Sequence, residues 1–95
     1  MKDDFKTLAQ SLDMLIGKLG FQNKLKEQQV LEEWPLIAGP QISKVARPER
    51  VTDRVLYLAV ANMSWRTELT FQKKTLLQQI EKRVGKNIII DMRFF

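Results

Sequence analysis

Lys44, Arg47, Arg50 and Arg54 recur every three or four residues through one segment and offer four cations to a partner. Cations at that spacing suit the phosphates of a nucleic-acid backbone, because pairing with phosphates releases condensed counterions. Glu49 and Asp53 lie in the same segment, so four cations less two carboxylates leave +2. A solvated edge strand, kept from aggregating by its charge, explains the same residues. A second group lies further on. At about 100° per residue of helix, Thr67, Phe71, Lys74, Gln78 and Lys82 share one face. Phe71 is there an apolar ring among cations; a base stacked on such a ring contributes ~1–3 kcal/mol, and the lysines can hold phosphates. The other reading packs Phe71 under the N-terminal helices or against a second copy, and the small size of the chain favours packing.

Catalytic chemistry has little to work with. The chain contains no histidine and no cysteine, which removes Ser-His and Cys-His nucleophile pairs, imidazole proton shuttles and thiolate or His-rich metal sites. No G-x-x-x-x-G-K-[ST] phosphate loop occurs. The 11 carboxylates are scattered among basic residues. No catalytic residue, metal ligand or cofactor is therefore assigned, and the expectation is a binding protein. Gly17-Lys18-Leu19-Gly20 has the G-x-x-G spacing that clamps nucleic-acid backbone in K-homology domains. Gly20 is more simply a helix stop.

These residues need a scaffold that 95 residues can supply as a single domain over 1–95, with N-terminal helices over 1–45 and a β-hairpin, long helix and final strand over 46–95. The net charge of +5 fits an anionic partner such as DNA, or serves solubility alone. The sequence has neither a run of about 20 apolar residues nor an N-terminal apolar core of the signal-peptide type. The expected location is the cytoplasm, with no membrane contact.

Phe5, Leu8, Leu12, Leu15, Ile16 and Leu19 form the stripe of a first helix, with Gly20 as its end. Asn23 is the candidate cap of a second helix carrying Leu25, Val30, Leu31 and Trp34, which Pro35 bends or ends. A short turn through Ile37 and Ile42 follows, interrupted at Gly39-Pro40. Arg50-Val51, a polar turn at Thr52-Asp53-Arg54 and the alternating run Val55 to Ala61 predict a hairpin. Asn62 or Ser64 caps a long helix with core stripe Trp65, Leu69, Leu76, Leu77, Ile80 and Val84, ended by Gly85. Lys73 falls within that stripe and is expected to snorkel. Ile88, Ile90, Met92 and Phe94 then alternate against Ile89, Asp91, Arg93 and Phe95 as a final strand, parallel to the second. Trp34 and Trp65 read as core residues. The class is α+β, in the order α-α-β-β-α-β, with helices on a three-stranded sheet.

An ordered set of residues resembles the DciA family of bacterial proteins. It comprises Glu33-Trp34-Pro35-Leu36-Ile37-Ala38-Gly39, Ile42, Arg47-Pro48, the run Asp53 to Val60, Asn62, Ser64-Trp65-Arg66, Glu68-Leu69 and the ending Gly85 to Phe94. The resemblance implies a K-homology-like domain without the glycine clamp. It also implies a role in DNA replication as an ATP-independent recruiter or loader of the replicative helicase, and binding to single- or double-stranded DNA. Longer members carry a flexible basic extension, whereas this chain stops at Phe95, so a short stand-alone form is expected.

Overall fold

A computed structural model describes residues 2–95, with side chains from Asp4 onward. Its elements are α1 (Lys2–Glu32), α2 (Trp34–Ala38), α3 (Pro40–Val45), β1 (Ala46–Thr52), β2 (Val55–Val60), α4 (Met63–Val84) and β3 (Asp91–Phe94). The α+β class and the progression from helices to hairpin, long helix and last strand match expectation. The helical boundaries do not. Gly20 ends nothing and Asn23 caps nothing, because α1 runs through both without a break. A helix-interior glycine costs only about 1 kcal/mol relative to alanine. The true boundary is Glu33, ahead of Trp34-Pro35, where proline takes its favoured place in the first turn of a new helix. The expected turn through Ile37 and Ile42 is two short helices that meet at Gly39, whose φ of 90° suits glycine.

The sheet has the order β1-β2-β3, with β1 antiparallel and β3 parallel to β2. Asp53 and Arg54 form the hairpin turn, with φ values of 51° and 64°. Two successive positive-φ residues are the mark of the turn that matches strand twist. Asn62 caps α4, its Oδ1 accepting the Trp65 backbone N–H at 2.9 Å, and Gly85 closes it at φ 117°. The last segment departs from simple alternation. Asn87 adopts φ 62°, Ile88 and Ile89 are both buried, Ile90 is exposed, and only Asp91–Phe94 forms a strand.

One face of the sheet holds the core. Leu56, Leu58 and Val60 of β2 and Met92 of β3 pack with Leu69, Leu76, Ile80 and Val84 of α4. Val30, Trp34 and Ile37 close the same core from the helical side. The Trp34 indole donates from Nε1 to the Ala46 carbonyl at 2.9 Å, a buried bond that ties α2 to the first residue of β1. Trp65 is half-buried against this cluster. Only the C-terminal end of α1 takes part. From Asp4 to Lys26 every residue of α1 is exposed, and the molecule measures 63 × 20 × 19 Å.

Candidate nucleic-acid interface

Side chains of directly opposed residues in neighbouring strands share a face of the sheet. Leu56, Leu58 and Val60 point to the helices, so Val55, Tyr57 and Ala59 line the other face. Opposite Tyr57 stand Arg50 on β1 and Arg93 on β3, making one row Arg50–Tyr57–Arg93 across all three strands. The Arg50 guanidinium carbon lies 4.1 Å from the centre of the Tyr57 ring, an attraction between a cation and the negative ring face. Arg47 opposes Ala59 on the same side. Residues 47 and 50 are three apart and a regular strand would send them to opposite faces. A bulge between Pro48 and Arg50 inserts Glu49 and restores the phase. Glu49 also accepts from Arg47, through Nη2 at 2.7 Å and Nε at 3.2 Å.

The seven residues singled out in the sequence do not converge on one point. Arg47 and Arg50 sit on the helix-free face. Lys44, in the last turn of α3, shares a shallow depression with Arg47 at one end of the hairpin. Arg54 stands at the other end, in the turn itself. Phe71 and Lys74 line a groove with Leu77, Asn87, Ile89 and Ile90 on the helical side of the sheet. Lys82 lies further along α4 beside Gln78, Gly85 and Lys86. The hairpin turn adjoins the Phe71 groove, since the Ile90 backbone N–H donates to the Arg54 carbonyl at 2.9 Å.

One expectation is corrected here, and two other readings are sharpened. Phe71 does not pack beneath the N-terminal helices, being 82% exposed. Gly17 and Gly20 lie inside a continuous helix and form no clamp loop. Lys73 does more than snorkel: its Nζ bonds Asp91 Oδ1 at 3.0 Å and fastens α4 to the start of β3. That bond is the main reason the Asp91 carboxyl is held below its ordinary pKa, with the Met92 backbone N–H adding to it. A second tie joins Arg83 to Glu33 at 2.9 Å. Arg83 and then Gln29 lower the pKa of Glu33, while the Arg83 guanidinium is raised in turn.

Tyr57 and Arg93 escaped the sequence reading although a signal for both existed. Tyr57 alternates with Leu56 and Leu58, and Arg93 follows Met92, so strand phase alone assigns both to the face away from the core. The bulge left no such trace. Among the described residues no group of three or more acidic, histidine or cysteine side chains is placed to hold a metal. Among them, too, no helix is long and apolar enough to cross a membrane.

The structure thus defines a small α+β protein with a mixed three-stranded sheet, helices on one face and arginines around a tyrosine on the other. The chain belongs to the DciA family, described as "Dna[CI] antecedent, DciA", which it matches over residues 7–94. It is similar to a UPF0232 protein of Corynebacterium glutamicum, 28% identical over 90 residues, covering 95% of this chain and 51% of that protein. A UPF0232 protein of Streptomyces coelicolor is 27% identical over 84 residues, covering 86% and 44%. The chain spans about half the length of these curated relatives.

Proposed function

We propose that residues 1–95 act as one DciA-type unit: a non-catalytic adaptor of bacterial DNA replication that binds DNA and recruits or loads the replicative helicase without hydrolysing ATP. Family membership supports the link to replication. The observation that carries the DNA reading is the Arg50–Tyr57–Arg93 row, with Arg47 beside it on a face free of helices. Arginines pair with phosphates while aromatic rings and guanidinium planes stack bases. Lys44 and Arg54 extend this surface at its two ends, and Phe71, Lys74 and Lys82 offer a second one across the sheet. The chemistry asks for no metal, cofactor or nucleotide, and the place of action is the cytoplasm.

The test is fluorescence anisotropy with a labelled single-stranded oligonucleotide over a salt series. Binding should weaken steeply with salt, and reversing Arg47, Arg50 and Arg93 to Glu should lower the slope of log K against log salt by roughly 2, at about 0.7 per lost phosphate contact. Absence of binding at ~50 mM salt, where phosphate contacts are strongest, sinks the DNA half. Pull-down of the cognate helicase with and without DNA addresses the other half.

The exposure of Phe71 favours a second reading, a protein–protein module with no direct nucleic-acid contact. An apolar ring beside exposed Ile90 makes an anchor of the kind that dominates interfaces. A helicase complex lost on Phe71→Ala, with no DNA affinity to lose on charge reversal, would select it.

A further inference from the structure

The free part of α1 extends for about 33 Å at 1.5 Å per residue, and every residue from Asp4 to Lys26 along it is exposed. Phe5, Leu8, Leu12, Leu15 and Leu19 are spaced three, four, three and four apart, the a and d positions of a heptad repeat. Phe5 is 75% exposed, and Leu12, Leu15 and Leu19 are each just over half exposed, as expected of a stripe that nothing among the described residues covers. We infer that this segment pairs antiparallel with the same segment of a second copy of the chain, with Phe5 against Leu15 and Leu8 against Leu12 of the other copy. The inference is independent of the DNA reading.

The residues flanking the stripe select both the occupant and the direction. Antiparallel pairs bring together the g positions that precede each a residue. In this segment those are Asp4, Ser11 and Lys18. The stated register sets Asp4 of each copy against Lys18 of the other, two opposite-charge pairs, and sets Ser11 against Ser11 near the two-fold axis. Ala9 meets Ala9 on the opposite flank, so small residues border the axis on both sides and the helices can approach closely. A parallel pair would set Asp4 near Ala9 and Lys18 near Asn23, with no charge match. The antiparallel arrangement also carries the two sheet bodies at opposite ends, where neither obstructs the other. At roughly 100 Å² for each large apolar side chain, the stripe with Ile16 offers about 600 Å² per copy. Two copies therefore reach about 1,200 Å², the lower bound of specific stable interfaces. A short seam of this size makes a reversible, concentration-dependent dimer.

Sedimentation velocity of the full chain from about 1 µM to about 1 mM, a range spanning weak to moderate affinities, tests this. The mass should rise from one chain of 11.1 kDa toward two. Leu12→Glu should hold the chain monomeric throughout while circular dichroism shows the body still folded. Lys18→Asp should weaken the dimer roughly threefold to tenfold, as expected for exposed ion pairs counted twice by symmetry. Adding Asp4→Lys to it should restore affinity. A monomer at every concentration, a dimer that survives Leu12→Glu, or a stripe covered only when another protein is supplied would overturn the proposal. Indifference to Lys18→Asp, with Leu12→Glu still disruptive, would overturn the antiparallel register.

Discussion

α4 and the free part of α1 are helices of similar length, each with large apolar residues at helical spacing. α4 lays Leu69, Leu76, Ile80 and Val84 on the sheet and buries all four. α1 leaves Leu8, Leu12, Leu15 and Leu19 in water. Periodicity reports that a helix has an apolar side; what covers that side depends on where the chain ends go. α4 is the crossover between two strands of one sheet and is drawn back onto it. Among the described residues, α1 meets the body only through its C-terminal end, at Val30 beside the Trp34 turn.

The contrast is most easily broken in the core. At low micromolar concentration, Leu76→Ala or Leu69→Ala should cost about 2–5 kcal/mol in urea unfolding, whereas Leu15→Ala should stay within about 0.5 kcal/mol. Similar losses at both places would show that α1 is packed after all. Next comes the tether. Trp34→Phe deprives the Ala46 carbonyl of its buried donor and should cost about 1–3 kcal/mol on the same measurement. A neutral result would mean that water replaces the indole there. Smaller again, Gly17→Ala and Gly20→Ala meet no atom within 4 Å. Each should favour α1 by about 1 kcal/mol, raising helical signal at 222 nm without moving the urea midpoint of the body. A shifted midpoint would couple the free helix to the core.

The smallest effect concerns the ties that hold α4. Asp91 and Glu33 both have folded pKa values below their ordinary ones. As pH falls, the unfolded chain therefore takes up these protons first. The stabilisation is complete above the unfolded carboxyl values of about 4 and drains away as the pH drops through the lowered folded values. Both pairs are partly exposed, which limits their weight. Lys73→Met should flatten part of the acid limb of stability against pH, while a substitution of Lys18 should leave it unchanged.

Much of the body was legible because its signals are local. Asn62 as cap, Gly85 as stop and the Asp53-Arg54 turn each act through their own backbone geometry. Gly20 misled because a glycine stops a helix only where the following residues prefer another course, and Phe21 to Glu32 do not. The Ile88–Ile90 run misled because Asn87 turns the chain just before it, so two successive isoleucines reach the core and strict alternation starts only at Asp91. Among the site residues, type and charge could be read directly. Their grouping could not: Lys44 with Arg47, and Phe71 with Ile90, are neighbours only through tertiary structure. The size of a stripe is visible in the chain, but its cover is not, and that is why neither Phe71 nor the N-terminal part of α1 packs on the body as the sequence suggested.

The extra residue at Glu49 makes the length of β1 as consequential as its composition. Loss of one residue there is absorbed: Arg47 and Arg50 would then stand two apart, as one face of a regular strand requires. Loss of a second would make them successive, turning Arg47 toward Leu58 and the core and Ala46 outward. A gap of one at this point in a relative therefore removes the bulge and leaves the sides of the strand as they are. A gap of two exchanges the two sides of this part of β1, carrying a positive charge across the sheet without any substitution at all.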